Sequence, residues 1–468
     1  MKVQFIGAAR EVTGSKTIIT TQEGKKILLD CGMFQGKGLE TDEKNRRLGF
    51  DAKSIDHVIL SHAHIDHSGL IPYLYKQGFR GSVVCTVATR NLCAIMLADS
   101  GHIQELDVVK FNKKQANKHL PPVPPLYTVE DAEKCMKLFI GVDYNRRFKI
   151  DENINVKFTN AGHMLGSGVV NLEINENGKK IHLAYTGDIG RPVNRILKSP
   201  DAFPQCDYLI TESTYGDRLH ESVKEMEDQL LQIIVDTCVK NRGKLIIPSF
   251  AIGRTQEIVF VLNKFYNEGI LPKINVYVDS PLAVNATDIF RLHLNELNEN
   301  IKEVMKKDPD PFGFNTLHYI KLVEESKALN ETDDPCIIIS SSGMAEAGRI
   351  KHHIANNISN PRNTILIVGY CTPSSLGARL QEPGLQAISI FGELHDVRAR
   401  IAKIESFSGH ADYSEMIRFL ECQNTAEIKQ TFLVHGDYEV QQSYSNRLYE
   451  NGFQNIQIPA VGNEFELT

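Results

Sequence analysis

The densest chemistry in the sequence lies in His62-Ala63-His64-Ile65-Asp66-His67, where three imidazoles and a carboxylate fall within six residues. Such a set offers nitrogen and oxygen ligands to two neighbouring divalent ions. It follows His57-Val58-Ile59-Leu60-Ser61, an apolar run that reads as a strand, so the ligands sit on the loop leaving its end. On that loop His62 and His64 can point to one side, and Asp66 and His67 to the other. Two ions need more donors. His163 in Ala161-Gly162-His163-Met164-Leu165-Gly166, Asp188 after Ala184-Tyr185-Thr186-Gly187, and His435 after Thr431-Phe432-Leu433-Val434 each stand at the end of an apolar strand. Asp188 is placed to bridge the ions.

The elements that must position these residues change in texture along the chain. Up to about residue 215 short strands dominate: Val3–Ala8, Ser15–Thr21, Lys25–Asp30 and His57–Ser61, with Asn177-Gly178 as a hairpin signal between 169–175 and 180–186. Helical patterns interrupt them at about 68–77, 89–100 and 129–139, and Leu120-Pro121-Pro122-Val123-Pro124-Pro125 must be extended. From 222 to 370 helices and strands alternate. Helices are expected over 222–240, 254–267, 282–306 and 348–357, and strands over 245–248, 274–278, 336–340 and 364–369. Runs such as Ile337-Ile338-Ile339 suit a parallel sheet covered on both faces. Strand-rich texture returns after about 385, with helices near 414–421 and 440–450. The pattern is that of one α/β domain inserted into another.

The 468 residues carry 52 Lys+Arg against 58 Asp+Glu, a net charge of −6, which argues against coating nucleic acid through bulk charge. Nine cysteines without a CxxC pair read as reduced thiols. The opening MKVQFIGAAREVTGS is too polar for a signal peptide, and no apolar run reaches the ~18 residues of a membrane span. A soluble cytoplasmic protein with no membrane partner is expected.

His62-x-His64-x-Asp66-His67, with Asp30 in Leu29-Asp30-Cys31-Gly32, His163 and Asp188, resembles the metallo-β-lactamase superfamily. Thr211-Glu212-Ser213-Thr214-Tyr215-Gly216, Ser406-Phe407-Ser408-Gly409-His410 and Leu433-Val434-His435-Gly436 are similar to motifs A, B and C of its β-CASP branch. That branch contains bacterial and archaeal ribonucleases and the endonuclease of pre-mRNA 3′-end cleavage. By this comparison the chain is expected to lack the extra C-terminal domain of ribonuclease J and the KH modules of archaeal cleavage-factor homologues. The resemblance implies an αββα metallo-β-lactamase sandwich over 1–215 and 409–468, and an inserted α/β β-CASP domain with a mainly parallel sheet over 216–408.

It further implies two zinc ions, although the spacing also permits manganese or iron. One would be held by His62, His64, His163 and Asp188, the other by Asp66, His67, Asp188 and His435. Asp30 would fix the ligand loop through hydrogen bonds. Glu212 would orient His410 and raise its pKa, and His410 would bind the scissile phosphate or protonate the leaving oxygen. Ser408 and Gly409 lie beside it in sequence. In the inserted domain, Ser342, Gly343, Arg349, Arg254 and His352 lie in or beside two turns that lead from strands into helices, where phosphate is readily bound. The reading is a ribonuclease cutting single-stranded RNA internally with a two-metal-activated hydroxide in a cleft between the domains. A 5′→3′ exoribonuclease, a DNA nuclease of the same branch, a small-molecule hydrolase and a non-catalytic RNA-processing scaffold are the alternatives. A homodimer is a family expectation.

Overall fold

The computed structural model describes residues 1–36, 38–117, 120–220, 223–369, 371–372, 375–404 and 409–468. It divides into two compact units: Met1–Pro192 with Lys198–Leu219 and His410–Thr468, and Val193–Leu197 with His220–Gly409. Among the described residues no helix is long and apolar enough to cross a membrane.

The first unit is built on two seven-stranded sheets. One runs from edge to edge through Glu464–Glu466, Lys2–Gly7, Lys16–Thr20, Lys26–Leu29, His57–Ile59, Ser82–Thr86 and Phe139–Val142. The other runs through Ile456–Gln457, Gln430–Val434, Tyr208–Glu212, Lys179–Tyr185, Gly168–Glu176, Ile154–Asn160 and Phe148–Asp151. Side chains alternate across a strand, so each sheet has an inner and an outer apolar face. Phe5, Ile27, Leu29 and Ile59 of the first sheet meet Phe158, Val170, Tyr185, Ile210 and Phe432 of the second in one core. The opposite register of the second sheet, Val169, Ala184, Leu209 and Leu433, packs on Met416, Leu420, Tyr444 and Leu448 of helices Tyr413–Leu420 and Tyr438–Glu450. The helix Val87–Ala116 lies against Ser82–Thr86 and Phe139–Val142 of the first sheet. The layers are therefore helix, sheet, sheet, helix. The expected hairpin pairs Glu176 with Lys179 around Asn177-Gly178, both at positive φ, as a two-residue turn of this kind demands.

The second unit holds six strands, all parallel, in the order Leu317–Ile320, Asn275–Asp279, Cys336–Ser340, Leu245–Pro248, Thr364–Ile367 and Arg400–Lys403. Parallel neighbours need crossovers, and helices such as Arg254–Asn267, Pro281–Leu292 and Arg349–Asn357 supply them. Ile337, Ile338 and Ile339 are fully buried, the signature of a strand covered on both faces.

Several local expectations shift. The helix expected at 89–100 extends over Val87–Ala116, because Thr86 caps its start through the Thr89 amide and no proline interrupts it before Ala116. The helix expected at 68–77 is two short ones, Ile65–Ser68 and Ile71–Lys76. That over 222–240 is α-helical through Val223–Ile234 and widens to a π-helix over Val235–Lys240. The strand Leu317–Ile320 and the helix Val323–Glu331 have no counterpart in the sequence reading, since the first is only four residues long and the second is largely polar.

Lys16 is an oddity of the first unit. It is 1% exposed, its Nζ donates to the Gly32 carbonyl at 2.9 Å, and it lies 4.1 Å over the Phe34 ring. Burial lowers its pKa to about 8. Between there and the ~10.4 of a free lysine, the unfolded chain holds more protons than the folded one, so stability rises with pH in that window. Below it the cost of the buried charge is present in full. Lys16→Met should therefore gain stability over wild type most below pH 8, with the gain shrinking toward pH 10. Urea unfolding of both proteins across that range tests this, and a pH-independent difference would refute it.

Candidate metal centre

The site grows from the ends of strands in both sheets of the first unit. His57–Ile59 runs parallel to Lys26–Leu29, so the residues that leave the two strands, Ser61 and Asp30, emerge side by side. Asp30, fully buried, accepts from the Ser61 amide and hydroxyl at 2.7 Å each, and from Tyr185 Oη at 2.7 Å. His67 Nδ1 lies 2.6 Å from the same carboxylate. The ligand loop also needs Gly32, where a Cβ would fall 1.6 Å from the Asp66 carbonyl oxygen.

These bonds fix which ring nitrogens face inward. An Asp30 carboxylate can only accept, so His67 donates to it from Nδ1 and turns Nε2 to the centre. Ser61 Oγ donates to Asp30 and therefore accepts from His62 Nδ1 at 3.0 Å, freeing His62 Nε2. Thr214 Oγ1 donates to the His435 carbonyl and lies 3.0 Å from His435 Nδ1, which leaves His435 Nε2 inward.

The inward atoms form two groups. His62 Nε2 and His163 Nε2 each lie 3.2 Å from His64 Nδ1, and 3.4 and 3.5 Å from Asp188 Oδ2. His67 Nε2 lies 3.3 Å from His435 Nε2, which is 3.5 Å from Asp66 Oδ2. Asp188 Oδ1 is 3.2 Å from His67 Nε2. Within the set His62, His64, His163, Asp188, and within the set Asp66, His67, His435, one ligand atom from each residue lies within 4.8 Å of the others.

The chemistry of this donor set fits divalent metal. Burial lowers the pKa of His62 and, well below the ordinary value, that of His163, and it takes His64 down to about 3. Three neutral imidazoles then converge with lone pairs facing one another, an arrangement that no shared proton satisfies. Asp188 Oδ1 is buried and has no hydrogen-bond partner among the described residues. Burial opposes ionisation of Asp188, but the imidazoles of His435, His67 and His62 hold it well below the usual carboxylate range. Burial likewise opposes a proton on His67, yet Asp188 and Asp30 push it well above the usual histidine value, so a metal entering there would displace that proton.

Glu212, at the end of Tyr208–Glu212, is 1% exposed and accepts from the Ile189 amide. His410 Nδ1 lies 3.1 Å from Glu212 Oε2 and 3.9 Å from Asp188 Oδ2. Burial pulls His410 down, but Glu212 and Asp188 outweigh it and raise its pKa to about 9. With Nδ1 committed to Glu212, Nε2 is the nitrogen that carries a mobile proton.

Placement of the other sequence candidates is mixed. Ser408 lies outside the described residues, and Gly409 closes the second unit. Arg349 is engaged within the second unit: Nη1 donates to buried Asp279 at 2.6 Å and Nη2 to the Lys321 carbonyl at 2.7 Å. Asp279 also accepts from Ser326 and lies 2.7 Å from His353 Nε2. Arg254 lies 3.5 Å from Glu257 and reaches the Val368 carbonyl at 3.4 Å. Gly343 packs so closely on Phe250 that a Cβ would meet its ring at 2.7 Å. The Ser342 amide donates to the Ala347 carbonyl at 3.1 Å. His352 is exposed and its ring stacks on Phe391.

Ser61, Thr214 and Tyr185 hold the centre without having been singled out in the sequence. Only the alternation of Lys179–Tyr185, which turns Tyr185 inward and Ala184 outward, carried a signal for the last of them. Tyr185 reaches Asp30 from the opposite sheet and lies 2.9 Å from Ser15 Oγ. Tyr185→Phe should weaken metal binding about tenfold while the core stays filled, because Asp30 loses one of the donors that orient it. Competition with a chromophoric chelator measures this, and unchanged affinity would show Tyr185 to be packing alone.

Family models agree with this architecture. The metallo-beta-lactamase superfamily matches residues 11–133, the Beta-Casp domain residues 255–380, and the Zn-dependent metallo-hydrolase RNA specificity domain residues 394–459. Ribonuclease TTHA0252 of Thermus thermophilus is 34% identical over 442 residues, covering 94% of each chain. An RNase J-like protein of Methanocaldococcus jannaschii is 35% identical, covering 93% of this chain and 92% of its own. Transcription termination factor FttA of the same archaeon is 31% identical over 93% of this chain and 67% of its own length. A solved Enterococcus faecalis protein of unknown function shares the fold, with a TM-score of 0.55 at 14% identity over 100% of this chain and 99% of its own. With its layered histidine and aspartate centre and its inserted parallel sheet, the chain belongs to the β-CASP ribonuclease branch of the metallo-β-lactamase superfamily of hydrolases.

Proposed function

We propose that the protein is a cytoplasmic ribonuclease that cuts single-stranded RNA internally, with two zinc ions held by His62, His64, Asp66, His67, His163, Asp188 and His435. The observation that carries the reading is Asp188, whose Oδ2 faces His62 and His163 while Oδ1 faces His67. One carboxylate facing two sets of ligands suits a pair of ions better than a single one. Manganese or iron fits the same donors, and zinc is favoured by the description of the family. Such a pair supplies charge neutralisation at the phosphate and an acidic water near neutral pH.

The chain's own residues do the rest. Asp30 and Ser61 hold His62 and His67 in the tautomers that leave Nε2 free. Glu212 grips His410 through Nδ1 and keeps it protonated. His410 Nε2–H then donates to a phosphate oxygen and passes its proton to the departing ribose oxygen, which would otherwise leave as a poor alkoxide. Arg254, Arg349, His352, Ser342 and Gly343 are assigned to RNA phosphates outside the scissile one. Arg349 contributes charge while remaining bonded to Asp279.

The experiment is cleavage of one unstructured RNA prepared with either a 5′-triphosphate or a 5′-monophosphate. Equal rates and the same internal cuts are expected, abolished by chelation and restored by zinc. Stepwise loss from the monophosphate end would instead make the protein an exonuclease, equal cutting of the matching DNA would widen the substrate, and cleavage indifferent to chelation would end the metal reading.

A further inference from the structure

The second unit carries a two-stranded hairpin in which Ala387–Ile390 pairs antiparallel with Glu393–Asp396. Ile390 faces Glu393, so the turn is Phe391-Gly392, with φ of +55° and +88°. A two-residue turn with both central residues left-handed ordinarily takes Asn, Asp or Gly at its first position. A bulky ring there is a strained choice. The strain brings the fold little packing in return, because Phe391 is 54% exposed.

What the strained residue does is hold an aromatic ring in solvent beside the helix Arg349–Asn357. From that helix the exposed His352 ring stacks on Phe391, centroids 4.5 Å apart and planes at 30°, and Lys351 Nζ lies 4.9 Å from the ring centre. An exposed ring stack with an ammonium over the Phe391 ring matches a nucleotide piece by piece. The π-face takes an unpaired base whatever its identity, and the cation takes the adjoining phosphate. A peptide partner would be better served by apolar surroundings, whereas Lys351 and His352 supply polar ones.

We propose that Phe391, His352 and Lys351 form a stacking platform that binds one unpaired base of an RNA strand, a role that rests on the ribonuclease reading and adds a contact outside the metal centre. Phe391 thereby trades fold stability for RNA affinity. Phe391→Asn places a favoured residue in the turn, so the folded protein should be as stable as before or more so, while its affinity for unpaired RNA falls about tenfold. Phe391→Trp should keep or improve binding.

The measurement is fluorescence anisotropy with an unstructured 25-nucleotide RNA, in full-length Asp188→Ala protein so that the probe is not cut. Thermal unfolding and sedimentation of each variant accompany it. Affinity lost with unchanged or raised stability supports the platform. Equal affinity in the Phe391→Asn protein overturns it, and so does a change of mass on substitution, which would give the patch to a second copy of the chain. Cleavage of the same RNA by wild type is run alongside. RNA left intact there would fail the ribonuclease reading, whereas RNA cut with Phe391 indifferent to binding fails the platform alone.

Discussion

Replacing Asp188 by alanine should lower kcat/KM for RNA at least about a thousandfold, some 4 kcal/mol of transition-state stabilisation at 25 °C. The size of the expected loss follows from geometry, since Asp188 is, among the described residues, the one whose oxygens reach nitrogens of both ligand sets. Losing any single histidine removes a donor from one set. Losing Asp188 removes one from each, together with the negative charge that offsets paired dications. Metal content should fall with activity, from about two ions per chain to one or none. Elemental analysis and single-turnover cleavage on the same preparations test both, with circular dichroism to show an intact fold. A variant that keeps two ions and most of its rate would refute the bridging role.

His410→Ala should cost on the order of 10²–10⁴-fold in kcat, the range for a lost general acid. A more selective change is Glu212→Gln, which keeps the shape of the partner but withdraws the charge that most raises His410. As an acid, His410 works only while protonated, so the rate falls as pH rises through its pKa. Lowering that pKa must move the alkaline limb of the kcat/KM profile toward neutral pH. Bound dications lower it in both proteins, so the direction of the shift survives whatever its absolute position. In His410→Ala the limb assigned to this group should vanish. A Glu212→Gln profile parallel to wild type and merely scaled down would assign Glu212 to structure.

The sequence spoke most clearly where chemistry is local. Six consecutive residues marked the candidate ligand loop, and the fold brings His163, Asp188 and His435, each read at the end of an apolar strand, beside it. The parallel sheet of the second unit was legible for a related reason, as fully buried strands such as Cys336–Ser340 need unbroken apolar runs. What stayed hidden depends on register between distant segments. Tyr185 meets Asp30 from a strand 155 positions away, and nothing near either residue announces the bond. Arg349 read as a candidate phosphate partner beside a Gly/Ser turn, and the fold also brings Asp279 to its guanidinium. The strand Leu317–Ile320 is invisible for a third reason. It sits at the sheet edge, beside Asn275–Asp279 alone, and its four residues are too few for an alternating pattern to show.

The strand that delivers His435 has a consequence for how the molecule comes into being. Gln430–Val434 lies inside its sheet, between Tyr208–Glu212 and Ile456–Gln457, and the N-terminal strand Lys2–Gly7 pairs with Glu464–Glu466. A chain made only as far as the inserted unit therefore has the histidines of the ligand loop but neither His410 nor His435, and its first sheet still lacks Glu464–Glu466. Catalytic competence must wait until the inserted unit and the segment that follows it have been made. For an enzyme assigned to cutting RNA this is a safeguard, since a nascent chain is tethered to its own messenger throughout synthesis. Inserting one unit within another defers the nuclease until the inserted unit has been made and His410 and His435 have followed it.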